Sequence, residues 1–456
     1  MEEFCPGIAC DPETVARPLP PYGQETRTDM EETMTLIRMS WRKASGLCAA
    51  ISLMAGPALA QDTANCPPAQ GALPDGYDWS DVEDALDNSS FLRGALIIYH
   101  KGDVAYWGGF GGWSGDDTCA EMLSHNFNVA SLSKTMTAAI ALSETGDTTT
   151  GFSLDDLVKE HITDATTLNS SEYDDGISPP EQGEPAYDHM TIGHLMSMTT
   201  GHDPIQAFPL NPLSCINNTA PLLGSDFETC GEAMIARAIE ADADPNNDPD
   251  YVFKPGDAFS YGPMAWQILG LASLNAHNLS YTEDVTFTEL VEHYLTGPDA
   301  CNLPNTVIMP EDNEWPAGGF ETDLFDGGVF AQALLSGQCN GKTLLTPSSL
   351  NDMRITQAPL TSSPEDIEVV STPAKKLDLD YARGLWVYEP EDTGLSKLYL
   401  GVGAFGAIAF FSPDRDWAAY IHLNDQLLTG YVDATELIIL DGGLGELIDA
   451  QADANP

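Results

Sequence analysis

The feature that most restricts the fold of this chain is the placement of strand-like segments near both of its ends, around a helical middle. Residues 94–112, GALIIYHKGDVAYWGGFGG, have β-branched and aromatic residues on both sides of Lys101-Gly102-Asp103, which is typical of a β-hairpin. Three later segments, GLWVYEP, KLYLGVGAFGAIAFFSP and WAAYIHLND, have the same character. This distribution predicts that the two ends meet in one antiparallel sheet, with a mostly helical region inserted between them.

The middle of the chain has apolar residues at the three- and four-residue spacing of helices. The segments are SLSKTMTAAIALSETG, TIGHLMSMTTG, CGEAMIARAIEAD, PMAWQILGLASLNAH and DGGVFAQALLSGQ. We therefore expect an α/β (α+β) fold in which an antiparallel sheet is flanked by helices. Residues 61–145 and 345–456 would form the discontinuous sheet domain, and residues 146–344 the mostly helical domain.

The chain is strongly acidic, because 70 aspartates and glutamates against 18 lysines and arginines give a formal net charge of -52. Such a charge repels phosphate backbones and anionic lipids, which argues against nucleic acid or a charged membrane surface as a partner. The acidic residues are spread along the chain, which suggests adaptation to high salt. The 43% of hydrophobic residues suffices for one large folded unit or two domains.

A secretory signal is indicated by the segment MTLIRMSWRKASGLCAAISLMAGPALAQ. Basic residues come first, an apolar run follows, and Ala-Leu-Ala precedes Gln61, so cleavage is expected near Ala60/Gln61. The apolar run is too short for a good membrane span, and no span is expected in the mature chain. Residues 1–60 are therefore predicted to be a misassigned leader plus the signal peptide, with Met30 or Met34 as the true start. The mature protein would be periplasmic or secreted.

The cysteines agree with export, because an even number that suits three disulfides remains after the signal: Cys66, Cys119, Cys215, Cys230, Cys301 and Cys339. The sequence does not choose among the possible pairings. Cys215 with Cys230 and Cys301 with Cys339 would close short loops. The chain has no Cys-x-x-Cys pair, which argues against a zinc or redox role.

Lys134 is an unusual lysine, because it lies in the apolar segment FNVASLSKTMTAAIAL, three residues after Ser131. At the start of a helix these two side chains project from the same face. A lysine in apolar surroundings has a depressed pKa and can accept the proton of a serine nucleophile, while free N–H groups at the helix start stabilise a developing oxyanion. The alternative is a chance Ser-x-x-Lys whose lysine covers an apolar helix face.

Several segments, in order over roughly residues 90–425, resemble the serine β-lactamase and penicillin-binding-protein superfamily. The resemblance is to its branch of class C β-lactamases and family VIII carboxylesterases. The segments are FNVASLSKTMTAAIAL, FSLDDLVKEHI, HMTIGHLMSMTTGHDP, KPGDAFSYGPMAWQILGLA and YLGVGAFGAIAFFSPDRDWAAYI. The resemblance implies a β-lactamase/transpeptidase-like fold and a serine hydrolase that works through an acyl-enzyme.

The resemblance also assigns roles to single residues. Ser131 would be the acylated nucleophile, Lys134 its proton partner, and Tyr261 the second general base. The backbone N–H groups of Ser131 and Ala404 would form the oxyanion hole, and Gly403 would let the substrate approach the strand closely. The alternative for Tyr261 is a structural tyrosine in the core, beside Trp266.

Two substrate-binding positions depart from the β-lactamase pattern. Pro263 replaces the asparagine of Tyr-x-Asn, and Gly401 replaces the lysine or histidine of the third motif, two residues before Gly403. In β-lactamases those side chains are expected to hold the amide and carboxylate of the antibiotic. The sequence therefore favours a carboxylesterase on small or moderately bulky esters. A β-lactamase, an amidase or D-amino-acid peptidase, and a penicillin-binding-like protein with little turnover are the alternatives.

Other chemistries have little support in the sequence. The chain has no Gly-x-Ser-x-Gly, which argues against an α/β-hydrolase, and no His-Glu-x-x-His, which argues against a zinc protease. His189, His194 and His202 lie close together, but their spacing fits no usual ligand pattern. We expect no metal and no cofactor, a small-molecule ester or amide as the partner, and we leave the oligomeric state open.

Overall fold

The structure is a computed structural model. It describes residues 76–89, 94–110, 123, 125–162, 189–200, 227, 231, 255–256, 259, 261–282, 284–309, 314–356, 379–390, 396–423, 430–440 and 442–456. The predicted leader and signal, residues 1–60, lie outside the described residues, as do most of the predicted helix CGEAMIARAIEAD and all of residues 163–188.

The helices and strands follow the predicted order. The helices are α1 (Ser80–Asn88), α2 (Leu132–Gly146), α3 (Val158–His161), α4 (Ile192–Met196), α5 (Met264–Tyr281), α6 (Phe287–Val291, continued by a π-helical turn, Glu292–Thr296), α7 (Leu324–Ser336), α8 (Pro347–Arg354), α9 (Gly430–Ile439) and α10 (Leu444–Ala454). The strands are β1 (Gly94–His100), β2 (Asp103–Phe110), β3 (Phe127–Asn128), β4 (Val307–Ile308), β5 (Phe320–Thr322), β6 (Gln338–Cys339), β7 (Lys342–Thr343), β8 (Asp380–Tyr381), β9 (Trp386–Tyr388), β10 (Leu398–Val402), β11 (Ile408–Ser412) and β12 (Trp417–Leu423).

The main sheet has seven strands in the order β2-β1-β12-β11-β10-β9-β8. All neighbouring strands are antiparallel, and β1 pairs with β12 so that Ala95 lies opposite His422. The two ends of the chain therefore meet in one sheet, as predicted. The β1–β2 turn also forms where expected, with positive φ at Lys101 and Gly102 (53° and 86°), which matches the turn geometry that joins twisted strands.

Helices cover both faces of this sheet. Successive side chains of a strand point to opposite faces, so Tyr420 and Trp417 of β12 lie on different sides. Gly327 of α7 packs on the ring of Tyr420, and the indole N–H of Trp417 donates to Asp449 of α10 at 2.8 Å. Strands β1, β11 and β12 are consequently buried along their whole length. The expected α/β (α+β) class, with an antiparallel sheet flanked by helices, is confirmed.

Helix α2 is the most deeply buried helix segment around the candidate site. Every residue from Leu132 to Glu144 is buried, because α2 packs on strand β10 and on helices α5 and α8. The boundaries proposed above for a sheet domain and a helical domain stay a prediction, since α2 contacts elements on both sides of that division.

One disulfide lies in the described part of the chain, between Cys301 and Cys339, whose Cα atoms are 5.1 Å apart. The sequence left the pairing open, and this is one of the two pairs that it singled out for closing a short loop. The other four cysteines of the mature chain lie outside the described residues.

Candidate active site

Ser131 lies in a sharp turn between strand β3 and helix α2. The N–H of Val129 donates to the carbonyl of Phe320 at 2.9 Å, and the side chain of Asn128 accepts from the N–H of Ala130 at 2.8 Å. Ala130 has a φ of 44°, in the left-handed region that alanine rarely adopts. Ser131 takes the N-cap position of α2, yet its hydroxyl makes no capping hydrogen bond. The turn therefore leaves this hydroxyl for another partner.

Lys134 is that partner, one turn further along α2. Its Nζ donates to Ser131 Oγ at 2.8 Å and to the carbonyl oxygen of Ala317 at 2.9 Å. The side chain is 5% exposed, and burial lowers the pKa of Lys134 from 10.5 to about 7. Neither hydrogen-bonding partner carries a charge that would hold the proton on the amine. Lys134 can therefore be the free base that a serine nucleophile requires at neutral pH.

The segment 315–320, WPAGGF, is hydrogen-bonded to α2 next to Lys134. The hydroxyl of Thr137 donates to the carbonyl of Pro316 at 2.9 Å, and the hydroxyl of Ser133 accepts from the N–H of Phe320 at 3.1 Å. These bonds fix the Ala317 carbonyl that accepts from Lys134. The sequence analysis missed this group, because a backbone carbonyl has no residue type to mark it. The pair of adjacent glycines at 318 and 319 was the one available signal of a close backbone approach.

Tyr261, the predicted second general base, lies in the segment that leads into α5. The centroid of its ring is 5.0 Å from Lys134 Nζ. The half-buried ring stacks on Trp386, with centroids 5.4 Å apart and planes at 25°. The rings of Tyr381 and Phe259 also lie near it, with centroids 6.4 and 6.5 Å away. The choice between a catalytic and a structural role for Tyr261 stays a prediction. The structure thus brings Ser131, Lys134 and Tyr261 together.

Strand β10 runs directly against the beginning of α2. A Cβ atom on Gly403 would lie 2.1 Å from the carbonyl oxygen of Val129, so only glycine fits at this crossing. A Cβ atom on Gly401 would lie 2.6 Å from both Leu132 Cδ1 and Thr135 Oγ1. The crossing brings the segment of Gly403 and Ala404 beside the turn that holds Ser131. The oxyanion hole formed by the N–H groups of Ser131 and Ala404 stays a prediction.

The packing around Gly401 explains one departure from the β-lactamase pattern. The side chains of Leu132 and Thr135 occupy the space that the Cβ atom of a larger residue at position 401 would need. The side chain of Thr135 is held in this position, because its hydroxyl donates a hydrogen bond to the carbonyl of Gly384 at 2.7 Å. The loss of a basic side chain here is therefore part of how β10 packs on α2.

The second departure from the β-lactamase pattern is Pro263, which replaces the asparagine of Tyr-x-Asn. It is the N-cap residue of α5, and its carbonyl accepts from the N–H groups of Trp266 and Gln267 at 3.2 Å each. Its ring offers neither a donor nor an acceptor to a substrate. The site therefore lacks both side-chain contacts that the β-lactamase pattern would supply at positions 401 and 263.

The histidines near this region have structural contacts. The ring of His194 accepts from the N–H of Thr191 at 3.2 Å and forms a capping box at the start of α4. No group of three or more His, Cys, Asp or Glu residues is arranged to hold a metal ion among the residues that the structure describes. His202 lies outside them.

Comparison with known proteins shows a family match over part of the chain. Residues 80–298 match the family model described as Beta-lactamase. No curated protein sequence matches the chain.

Solved structures with the same fold are named after several different enzyme activities. A family VIII carboxylesterase is 13% identical, with a TM-score of 0.53, over 78% of this chain and 93% of its own. A β-lactamase/D-alanine carboxypeptidase from Yersinia pestis is 15% identical, with a TM-score of 0.51, over 83% of this chain and 97% of its own. A D-stereospecific amidohydrolase from Streptomyces is 17% identical, with a TM-score of 0.51, over 80% of this chain and 99% of its own.

These likenesses establish the fold, while the family model establishes the relationship for its own segment, which contains Ser131, Lys134 and Tyr261. The resemblance deduced from the sequence motifs is confirmed. The chain has the β-lactamase/transpeptidase-like fold, and its residues 80–298 match the Beta-lactamase family model.

Proposed function

We propose that this protein hydrolyses small or moderately bulky carboxylic esters through an acyl-enzyme on Ser131. The observation that carries the proposal is the 2.8 Å contact between Ser131 Oγ and a buried lysine whose pKa is lowered to about 7. A serine hydroxyl becomes a nucleophile only when a neighbouring base takes its proton. Lys134 is in hydrogen-bonding distance and is not locked in its charged form.

In the acylation step, Ser131 Oγ bonds to the ester carbonyl carbon as its proton passes to Lys134 Nζ. The oxyanion that forms is stabilised by the N–H groups of Ser131 and Ala404, with the positive end of the α2 dipole behind them. The bond to the leaving oxygen then breaks. Tyr261 delivers a proton to that oxygen and recovers one from Lys134, so an alcohol departs and the base is restored.

In the deacylation step, water replaces the alcohol. Its oxygen bonds to the acyl carbon while its proton passes to the Lys134 and Tyr261 pair. The bond between the acyl carbon and Ser131 Oγ then breaks, the serine recovers its proton, and a carboxylic acid leaves. Apart from the ester and this water molecule, both steps use groups of the chain itself.

The esterase is favoured over a β-lactamase because positions 401 and 263 carry no side chain that could hold the carboxylate or the amide of an antibiotic. Lys134 is the cation that contacts both Ser131 and Tyr261, and it is used as the base. Gly401 and Pro263 contribute no side-chain donor, and the formal charge of -52 disfavours anionic substrates. A neutral ester requires none of these contacts.

The test is hydrolysis of a short-chain p-nitrophenyl ester, a chromogenic cephalosporin and a D-amino-acid p-nitroanilide in molar salt, by the wild type and Ser131→Ala. We expect ester turnover that the variant loses by at least about 10³-fold, with little cleavage of the other two. Faster cephalosporin turnover would replace the esterase with a β-lactamase, and faster anilide turnover with an amidase or peptidase. Covalent labelling without turnover would favour a penicillin-binding-like protein.

We also propose export, on the strength of the basic, apolar and Ala-Leu-Ala segments before Gln61. None of the helices in the described ranges combines the length and the apolar content needed to cross a bilayer. Mass spectrometry of the protein recovered outside the cytoplasm should give an N-terminus at or near Gln61. An N-terminus upstream of the apolar run would contradict cleavage.

A further inference from the structure

Four aromatic rings beside Lys134 form a group that we call the aromatic cluster: Phe259, Tyr261, Tyr381 and Trp386. Ring centroids are 4.8 Å apart for Tyr381 and Trp386, 5.1 Å for Phe259 and Tyr381, and 5.4 Å for Tyr261 and Trp386. Three of these rings are buried, whereas Tyr261 is half-buried. Tyr261 is also the ring that lies 5.0 Å from Lys134 Nζ, so it joins the cluster to the catalytic residues.

The packing of neighbouring side chains helps to hold the ring of Tyr261 in place. Tyr261 lies outside any helix or strand, two residues before the N-cap residue Pro263 of α5. A side chain on such a segment takes its position from the side chains packed against it. The ring of Trp386, at 5.4 Å and 25°, is more nearly parallel to that of Tyr261 than the rings of Phe259 and Tyr381 are, at 42° and 88°.

Trp386, in contrast, belongs to the rigid part of the molecule. It is 8% exposed and lies on β9, opposite Leu400 of β10 in the main sheet. The turn before it is hydrogen-bonded to α2, because the carbonyl of Gly384 accepts a hydrogen bond from the hydroxyl of Thr135 at 2.7 Å. Gly384 also approaches α2 so closely that a Cβ atom there would lie 2.7 Å from Ala138 Cβ. Trp386 is thus held in a fixed relation to Lys134, the residue that precedes Thr135.

We propose that Trp386 is a positioning residue that holds the phenol of Tyr261 against Lys134 for proton transfer. Stacking on one fixed ring face restricts the swing of the Tyr261 ring. Proton transfer requires donor and acceptor atoms within hydrogen-bonding distance, so a small displacement of the phenol oxygen lowers the rate. Trp386 itself touches no reacting atom. This inference rests on the role proposed above for Tyr261.

The first test compares Trp386→Phe and Trp386→Tyr with the wild type in ester hydrolysis. We expect kcat to fall about tenfold in W386F and KM to change less than about twofold, because the bound ester does not require the tryptophan. W386Y, which keeps a longer ring face, should recover most of kcat. Trp417→Phe is the matched control, because Trp417 is buried on β12 of the same sheet and its indole bonds to Asp449. That variant should lose thermal stability while kcat stays within about twofold of the wild type.

The second test places Trp386→Phe in a Tyr261→Phe background. If Trp386 acts through the Tyr261 hydroxyl, the second substitution lowers kcat by less than about twofold there, so the two effects are not additive. An equal loss in both backgrounds, or wild-type kcat in W386F, would overturn the positioning role. Wild-type kcat in Y261F alone would instead overturn the proposed function of Tyr261, so the two failures are distinguishable.

Discussion

Two pairs of titratable side chains lie along helix α2, one near each of its ends. Lys134 and Tyr261 form the first pair, Glu144 and His277 form the second, and the two pairs differ in chemistry. Near the beginning of α2, Lys134 contacts a hydroxyl, a carbonyl and the ring of Tyr261, just before α5. Near the end of α2, Glu144 Oε1 lies 3.0 Å from Nδ1 of His277 in α5. All three of these ionisable side chains, Lys134, Glu144 and His277, are buried.

The difference separates a functional group from a structural one. Glu144 Oε1 and His277 Nδ1 lie within hydrogen-bonding distance, so each of these buried titratable groups has the other as a partner. Lys134, in contrast, has the hydroxyl of Ser131 and the carbonyl of Ala317 as hydrogen-bonding partners, and its burial disfavours the ammonium form. A group that costs stability without a compensating charge is typical of an active site. The predictions below test whether the two ends of α2 differ in this way.

The largest expected effect is on activity at the beginning of α2. Lys134→Met keeps an unbranched side chain and removes the amine, so kcat/KM for the ester should fall about 10³-fold for want of a proton acceptor. Glu144→Gln is the matched variant at the other end and should keep kcat/KM within about threefold of the wild type. Steady-state ester hydrolysis measures both. A comparable loss in the two variants would remove the distinction between the ends.

The same substitution should have the opposite effect on stability. The pKa of Lys134 is about 7 in the folded protein against 10.5 ordinarily, so between these values only the unfolded chain binds the proton. The free energy of unfolding contributed by this group therefore rises with pH between 7 and 10.5. At and below pH 7 the burial costs up to ~5 kcal/mol. Urea unfolding should show Lys134→Met more stable than the wild type at pH 6, with an advantage that shrinks toward pH 10; an advantage independent of pH would contradict this.

The next effect is on stability at the end of α2. Glu144→Leu removes the hydrogen-bond partner of the buried Nδ1 of His277, which should lower the free energy of unfolding by about 1–3 kcal/mol. Denaturant unfolding measures the loss, and ester kinetics of the folded variant should stay close to those of the wild type. Unchanged stability would mean that the Glu144–His277 contact is not structural.

The pH profile of the reaction sharpens the difference further. Acylation requires neutral Lys134, and burial lowers the pKa of this amine to about 7. The rate constant kcat/KM should therefore rise about tenfold per pH unit below 7 and level off above it. The profile should be measured from pH 5 to 9 at constant ionic strength. A flat profile, or a limb that rises only above pH 9, would mean that the amine keeps its ordinary pKa.

The smallest effect concerns the backbone at the two ends of α2. Ala130, before the helix, has a φ of 44°, whereas Asp147, after it, has a φ of -90°. Ala130→Gly should relieve the strain and raise the free energy of unfolding by up to about 1 kcal/mol, part of the gain being offset by the flexibility of glycine in the unfolded chain. Thermal unfolding measures it, with Ala138→Gly inside the helix as the destabilised control. A loss of stability in both variants would mean that the turn before Ser131 is not strained.

Local sequence patterns predicted the parts of the fold that local patterns control. The strands rich in β-branched and aromatic residues, the Lys101-Gly102 turn and the helical spacing around Lys134 all depend on neighbouring residues, and each forms where expected. The pairing of Ser131 with Lys134 was predictable for the same reason, since one helical turn separates them. The family model confirms the wider resemblance over residues 80–298.

Contacts between distant parts of the chain were not predictable in this way. The carbonyl of Ala317 reaches Lys134 across 183 positions, and Glu144 reaches His277 across 133. The sequence showed that Gly401 lacks a basic side chain, but not that Leu132 and Thr135 fill the space. Such facts depend on how helices and strands pack, which no short segment encodes.

The most direct test is covalent labelling with a p-nitrophenyl alkylphosphonate, whose phosphorus bonds to a nucleophilic serine as p-nitrophenolate leaves. Because the phosphonyl-serine is stable, digestion and mass spectrometry can locate it. The proposed mechanism predicts one equivalent of label on the peptide that contains Ser131, slow labelling in Lys134→Met and none in Ser131→Ala. Label on another residue, or equal labelling in Lys134→Met, would show that the buried lysine does not activate Ser131.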